Sequence, residues 1–395
     1  MTALRTATPA GNHSNPGWFV FGLMASVTFV GLLSELLPSG ILPQMSDELG
    51  VSESRIGMLV GGYALASALT AIPLVSATLA VNRKRLLLVL LAGFALSNIA
   101  VGLSSSYEFI MAARIAGGIC AGVMWPMIAA YGTRLVPREQ HGRAITLIMA
   151  GNTLGISIGM PVMTWVGISF GWRSAFIVLG LSVVLIGLLS HRYLPSVPGE
   201  PRSRSNSPLV LLKNPGIQIV MLLTLLSVVA HYAVYTYIAL LVDSAALAGG
   251  IGAALAIFGV GSVISVVLSA RYIDAWLRPL IVSMLALGAI AMALLLAFAG
   301  IPGIAHLAFL LWGIAFGPLV TMYQAAVARQ VDSGRDVATS LQSSVFNFSI
   351  MLASALGGIL LTRLAAPGVH GIVWLALGCF GLAAWIAWRA ERTLR

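Results

Sequence analysis

The chain has 395 residues, of which 59% are hydrophobic and only 9% charged, and its formal net charge is +10 at pH 7. Soluble domains carry about 25% charged residues, so this composition excludes a water-soluble globular protein and predicts a chain that crosses a membrane many times. Cys120 and Cys379 both lie within apolar runs. We interpret them as small buried residues rather than as a disulfide or a metal site.

Twelve apolar stretches are long enough to cross a bilayer, because a spanning helix needs about 20 apolar residues. They are numbered spans 1 to 12 in chain order and are predicted at 18–43, 56–80, 86–104, 108–133, 143–166, 172–194, 216–241, 250–270, 279–299, 302–328, 337–362 and 370–388.

One long polar interruption, rich in Pro, Ser and Arg, separates spans 1–6 from spans 7–12, and its composition predicts an extended, flexible linker. The expected organisation is therefore a short tail, six helices, a linker, six helices and a second tail. The corresponding ranges are 1–17, 18–194, 195–215, 216–388 and 389–395.

The positive charges follow this arrangement. Eighteen of the 22 lysine and arginine residues fall on the side that holds both termini, whereas the opposite side holds Arg55, Arg173 and Arg363, and Arg114 lies inside a span. The positive-inside rule then places both termini and the linker in the cytoplasm. Because topology accounts for the basic charge, no nucleic-acid partner is expected.

Glu35 is an acid within span 1. It lies about 26 Å along the helix from Trp18 at 1.5 Å per residue, which is the half of the membrane opposite the termini. Ionisable residues inside spans are costly and commonly functional. Two interpretations stay open: Glu35 is the main carrier of protons, or it reaches the polar interface from near the end of its helix.

Arg114 lies early in span 4 and keeps its positive charge at physiological pH, so it needs an anionic or polar partner. By its predicted depth that partner is Glu35, through an ion pair that would tune the proton affinity of the acid. The alternative is a structural anchor that hydrogen-bonds neighbouring helices.

Span 5 carries Gly151, Gly155 and Gly159, whose spacing of four places them on one helix face and permits close helix packing. Pro161 follows and removes a backbone hydrogen bond, which bends a helix. We interpret this pattern as a seam that helps to govern access between the halves, or as ordinary small-residue packing. Asn152 is a candidate for the lining of a central cavity.

Span 7 contains His231 and Tyr235, which share a helix face because they are four residues apart. Together they offer hydrogen-bonding groups and an aromatic platform suited to a sugar, and His231 is a second candidate for protonation. The alternative is a tyrosine belt at the membrane interface. Other polar or aromatic residues within spans either contact a substrate or bridge helices: Tyr63, Trp125, Gln324, Gln342 and Asn347.

Several segments together resemble the major facilitator superfamily, in its drug:proton antiporter branch, and most of all the sugar efflux transporters. The first-span segment SELLPSGILPQMSDELGVS and the seventh-span segment AHYAVYTYI are similar to patterns of that group. So are LLWGIAFG from Leu310 and VFNFSIMLASALGG from Val345. The loop between spans 2 and 3 departs from the superfamily pattern, since Asn82 stands where an acid is usual, although the basic residues Arg83 and Arg85 remain.

This resemblance implies an all-α fold of twelve transmembrane helices in two pseudo-symmetric halves, which exchange substrate for protons by alternating access. It further implies a monomer without cofactors in a bacterial plasma membrane, with Arg83 and Arg85 contributing to gating. Weak sequence similarity between the halves fits a repeated six-helix unit.

No phosphate-binding, zinc-protease or nucleophile-elbow motif is present, which argues against an enzyme and against an ATP-driven pump. We expect a proton-coupled exporter of small neutral polar solutes, such as arabinose or related glycosides. The alternatives are export of purine nucleosides or chloramphenicol-like drugs, and an uncoupled facilitator.

Overall fold

The computed structural model describes residues 18–137, 140–199, 213–245, 247–298, 301–330, 335–363 and 368–391. Both predicted tails lie wholly or partly outside these ranges, as does most of the predicted linker. The described residues form helices and no strand. The α-helices are Trp18–Gly40, Leu42–Leu49, Glu53–Thr78, Arg83–Leu103, Tyr107–Thr133, His141–Leu154, Met160–Phe170, Trp172–Tyr193, Pro215–Thr236, Ile238–Ser244, Gly250–Phe298, Pro302–Phe316, Leu319–Arg329, Arg335–Arg363 and Gly368–Arg389.

Twelve helical stretches among these residues are long and apolar enough to cross a membrane, which confirms the predicted number of spans. Several boundaries differ from the prediction, including breaks within spans 7 and 10 and an extension of span 5 to Phe170. Span 1 ends at Gly40, before a separate short helix, rather than continuing to residue 43. Spans 8 and 9 lie within the single helix Gly250–Phe298, which is kinked at Trp276.

Exposed tryptophans mark both ends of the bundle. Trp165 and Trp374 lie near the end opposite the termini, here called the distal side, whereas Trp276, Trp385 and Trp388 lie near the termini side. Tryptophan is enriched at the two membrane–water interfaces. These exposed rings therefore delimit the part of the molecule that a bilayer covers.

The two halves repeat the same close helix contacts. In the first half, a Cβ atom on Gly122 would lie 2.6 Å from the Ser67 carbonyl oxygen; in the second half, one on Gly317 would lie 2.9 Å from the Ser262 carbonyl oxygen. The two contacts join span 4 to span 2 and span 10 to span 8. This shared geometry is the internal repeat that the sequence similarity predicted.

The halves meet along two seams, because span 2 packs along span 11 and span 5 packs against span 8. The middle of span 5 is a π-helical turn, Gly155–Gly159, in which the Met160 N–H donates to the Gly155 carbonyl. At this turn the Ser157 hydroxyl donates to the Gly259 carbonyl of span 8, with an O–O distance of 3.0 Å. A widened turn of span 5 thus touches the other half directly.

The first residues of the predicted linker, 195–199, are docked on the termini side of the first half. The Arg83 amide donates to the Val197 carbonyl at 2.9 Å, and the Tyr131 hydroxyl donates to the Pro195 carbonyl. Hydrogen bonds from two different spans fix the backbone of this segment. The prediction of a flexible linker therefore does not apply to 195–199, while residues 200–212 lie outside the described part of the chain.

Candidate functional site

Glu35 is almost fully buried, with 4% of its surface exposed, in the last turns of span 1. Within the described residues its carboxylate forms no hydrogen bond and no ion pair. Glu35 lies within electrostatic range of Arg114 and Tyr63 in the first half and of Tyr232 in the second half. Span 1, which carries the acid, also packs against span 7, so Glu35 lies near the boundary between the halves.

Arg114 is fully buried, and its guanidinium binds backbone carbonyls rather than the carboxylate of Glu35. It donates to the Ser34 carbonyl, to the Glu35 carbonyl at 2.7 Å and to the Leu59 carbonyl at 3.3 Å. Pro38 explains the first of these contacts, because a proline has no N–H to donate to the carbonyl four residues earlier. Arg114 takes the place of that missing donor. The structure therefore does not contain the predicted ion pair between Arg114 and the Glu35 carboxylate; instead, Arg114 donates to the backbone carbonyl of Glu35.

The guanidinium of Arg114 also lies over the ring of Tyr63, 4.4 Å from the ring centre. Beside it, the Asn98 amide donates to the Ser34 hydroxyl at 2.8 Å and so joins span 3 to span 1. Spans 1 to 4 thus converge on the segment that carries Glu35. Sequence reasoning missed Asn98, although an amide inside the apolar span 3 was a visible signal.

His231 lies inside a cluster of aromatic side chains in the second half. Its ring is stacked on Phe316 at a centroid distance of 3.5 Å and lies 5.2 Å from both Tyr235 and Trp312. We call this group the aromatic cluster; its members are His231, Tyr232, Tyr235, Phe258, Trp312 and Phe316. Because these tyrosines are buried, they do not form an exposed belt at the membrane interface.

Three polar atoms of the aromatic cluster have no hydrogen-bond partner among the described residues: His231 Nδ1, the Tyr235 hydroxyl and Trp312 Nε1. Buried polar groups are normally paired with protein or water. The cluster therefore carries hydrogen-bonding capacity that is available to water or to a solute. The cluster residues from spans 8 and 10 are distant in sequence from His231, so the sequence of span 7 alone did not predict them.

Tyr232 is the member of the aromatic cluster that also contacts span 11. Its ring is 5.8 Å from Phe346 of span 11 and 6.0 Å from Phe316, and it keeps 4% of its surface exposed. The charge of Glu35 acts on it from the first half. The spacing rule favoured Tyr235, whereas Tyr232 is the cluster tyrosine that lies within electrostatic range of Glu35.

The remaining cavity candidates occupy different environments. Gln342 and Asn347 are buried in span 11, where the Asn347 amide donates to a carbonyl of its own helix at 2.9 Å. Trp125 and Asn152 are half-buried, and Gln324 is exposed. Within the described ranges, no three metal-binding side chains lie together.

The three glycines of span 5 face span 1. A Cβ atom on Gly151 would collide with the Ala25 carbonyl, and one on Gly155 would lie 2.8 Å from the side chain of Leu32. A Cβ atom on Gly159 would lie 2.8 Å from the ring of Phe29. Pro161 lies two residues after the end of the π-helical turn, and the carbonyl to which an N–H at this position would donate in an α-helix, that of Ser157, belongs to the turn.

The loop between spans 2 and 3 is organised by Asn82 in place of the usual acid. Its side chain accepts hydrogen bonds from the backbone of Lys84 and Arg85, and so caps the N-terminus of span 3. Arg83 is buried and donates to the Leu79 carbonyl at 2.7 Å, whereas Arg85 is exposed. The amide supplies an N-cap without adding a negative charge.

Three comparisons agree with this architecture. A family model described as the Major Facilitator Superfamily matches residues 24–335. The chain is 28% identical over 362 residues to a probable sugar efflux transporter of Mannheimia succiniciproducens, with 91% of each chain covered. It is 31% identical over 374 residues to a chloramphenicol efflux pump of Mycobacterium tuberculosis, with 89% of each covered.

Among solved structures, the nucleoside transporter NupG superposes with a TM-score of 0.75 at 12% identity, covering 96% of this chain and 100% of NupG. At that identity the likeness concerns the fold alone.

Proposed function

The chain belongs to the major facilitator superfamily of membrane transporters, and from that premise we propose that it is a proton-coupled exporter of small neutral polar solutes. The observation that carries the proposal is the placement of Glu35. It is a buried acid without an ion-pair partner among the described residues, at the meeting point of the two halves. A carboxyl group in apolar surroundings is less costly to bury when neutral than when charged. We infer that its protonation state is linked to the position of the halves, because movement of the halves would change the surroundings of the carboxyl group.

Arg114 has a supporting part in this proposal. It fixes the backbone around Glu35 through carbonyl contacts and places a positive charge within electrostatic range of the carboxylate. A nearby positive charge favours release of the proton. We assign to Arg114 the role of positioning and tuning the acid, and to Glu35 the role of carrying the proton.

The proposed substrate is an uncharged solute that presents hydroxyl groups and a flat face. The aromatic cluster supplies ring faces together with the available polar atoms of His231, Tyr235 and Trp312. Such a combination suits sugars or related glycosides. The relative named as a probable sugar efflux transporter supports this choice.

The relative named as a chloramphenicol efflux pump favours a second candidate, the export of a neutral aromatic drug. An aromatic ring would stack in the cluster as readily as a sugar ring. Both candidates have a neutral substrate and proton coupling, and they differ only in the solute that is exported. A single transport assay with both solutes therefore distinguishes them.

We infer that alternating access operates across the two seams between the halves. The span 5 glycines and Pro161 supply a closely packed and bent element at one seam, and Arg83 and Arg85 flank the termini-side loop. We further place the protein as a monomer in a bacterial plasma membrane, with both termini in the cytoplasm. The bacterial relatives and the distribution of basic residues support this placement.

The test uses purified protein in liposomes with an imposed proton gradient and labelled arabinose or chloramphenicol. Glu35→Gln should abolish gradient-driven transport and retain substrate exchange without a gradient, because the neutral amide cannot cycle a proton. Glu108→Gln is the matched control, since Glu108 is exposed and paired with Arg55 at 3.0 Å. Gradient-driven transport that survives Glu35→Gln overturns the proposal, and wild-type transport that ignores the gradient identifies an uncoupled facilitator.

A further inference from the structure

Span 7 is interrupted at Tyr237, between the helices Pro215–Thr236 and Ile238–Ser244. Tyr237 has φ −110° and ψ 25°, and the break after span 1, at Ile41, has nearly the same geometry with φ −127° and ψ 25°. Ile41 and Tyr237 therefore occupy equivalent places in the two halves, both on the distal side.

The two equivalent side chains make different contacts. Ile41 packs on Gly167 of span 5, which belongs to its own half. Tyr237 is buried against glycines of span 2, in the first half, and of span 11, in the second half. Of these two side chains, the one in the second half therefore crosses the boundary between the halves.

Three glycines form a slot around the Tyr237 ring. A Cβ atom added to Gly57 would lie 2.7 Å from Tyr237 Cε1, and one added to Gly357 would lie 2.9 Å from Cδ2. A Cβ atom on Gly358 would lie 3.0 Å from the hydroxyl oxygen. Any larger residue at these positions would occupy the space of the ring, so the slot depends on glycine.

The hydroxyl of Tyr237 secures the ring in this slot. It donates to the Ser354 carbonyl of span 11 at 2.9 Å, and the Ser54 side chain of span 2 borders the same glycine, Gly358, as the hydroxyl does. One side chain thus joins spans 2, 7 and 11 at a single point. Separation of the halves on the distal side requires the ring to leave the slot.

We propose that Tyr237 is a latch that closes the distal entrance of this transporter, with Gly57, Gly357 and Gly358 as its receptor. The latch holds the state in which the distal side is sealed, and its release precedes opening to that side. This inference rests on the chain being a transporter and does not depend on the identity of its substrate or on proton coupling.

The test measures the distance across the distal side in a variant without the native cysteines. Spin labels at Ser105→Cys in the first half and Ser244→Cys in the second half, both at exposed positions, report the separation by double electron–electron resonance. With Tyr237 and its three glycines unchanged, the distance between the two spin labels should be mainly short. Gly57→Ala and Tyr237→Ala should shift the population to longer distances, because each prevents the ring from filling the slot.

Gly252→Ala is the matched control, since Gly252 lies on the distal side and nothing lies within 4 Å of a Cβ atom added there. Its distance distribution should equal that of the protein with Tyr237 and Gly57 unchanged. Tyr237→Phe keeps the ring and removes the hydroxyl, so it should give a partial shift and remains informative if the stronger variants fail to fold. Unchanged distances in Gly57→Ala and Tyr237→Phe overturn the latch. If Glu35→Gln instead keeps gradient-driven transport, the proposed coupling fails and the latch result stands independently.

Discussion

At the residue scale, Arg114 supplies the hydrogen-bond donor that Pro38 lacks. Pro38 leaves the Ser34 carbonyl without its helical donor, and Arg114 supplies a donor from span 4. A buried carbonyl without a partner costs free energy, and so does a buried guanidinium without acceptors. Each residue thus removes a cost that the other would cause, next to the acid that we propose carries the proton.

Arg114→Met should lower the free energy of unfolding by about 2 kcal/mol, the value of hydrogen bonds to a charged group. The same substitution should cost less in a Pro38→Ala background, because an alanine has the N–H that the proline lacks and would donate it to the Ser34 carbonyl. Unfolding in detergent of the wild type, both single variants and the double variant gives the coupling between the two sites. Arg55→Met is the control, since Arg55 is exposed, and we expect a loss below about 1 kcal/mol. Equal losses in the two backgrounds would contradict the pairing.

The sequence was sufficient to select Glu35 and Arg114 and to place them at a similar depth, because charged residues stand out in apolar spans. It was not sufficient to show what Arg114 binds, since any of several carbonyls or the carboxylate would satisfy a guanidinium. The aromatic cluster could not be predicted from the sequence either. Its contacts depend on how spans 8 and 10 pack against span 7, which helix periodicity within one span does not specify.

At the element scale, span 5 combines close packing within its half with a contact to the other half. Its glycines bring it against span 1, and its π-helical turn brings Ser157 to the Gly259 carbonyl of span 8. π-helical turns are often found at functional sites. The glycine spacing predicted the helix face, whereas the widened turn was not predicted, because a proline signals a missing hydrogen bond but not how the helix accommodates it.

Gly151→Ala should destabilise the protein by about 1–3 kcal/mol, the usual cost of overpacking a close contact. The added methyl group would collide with the Ala25 carbonyl of span 1, and backbone cannot move aside as a flexible side chain does. Gly22→Ala is the control, because nothing lies within 4 Å of a Cβ atom there. Thermal unfolding in detergent measures both variants. A Gly151→Ala protein as stable as Gly22→Ala would show that span 5 does not depend on this contact.

At the scale of the whole molecule, the two halves share their packing but differ in chemistry. Glu35 and His231 lie at the same distance before the equivalent breaks at Ile41 and Tyr237. The first half surrounds its position with an arginine and backbone carbonyls, whereas the second surrounds its position with aromatic rings. One repeated architecture thus carries an ionisable group in one half and an aromatic cluster in the other, and the proposed function assigns the proton to the first and the solute to the second.

The distal side carries few basic residues, and most of them are paired. Two of the three arginines there are paired with acids, Arg55 with Glu108 and Arg173 with Glu48. In each pair the acid offsets the positive charge of the arginine. The orientation itself depends on the small number of arginines on this side, because the positive-inside rule counts basic residues rather than net charge.

If this orientation is correct, a membrane-impermeant maleimide should label Asp243→Cys in intact cells and should leave Lys213→Cys unlabelled until the membrane is opened. Both residues are exposed; Asp243 lies on the distal side and Lys213 on the termini side. Each variant is made without the native cysteines Cys120 and Cys379, so that the signal comes from one position. Labelling of Lys213→Cys alone in intact cells would show that the termini lie outside the cell. The distal side, which Glu35 lies near and which the Tyr237 latch closes, would then face the cytoplasm.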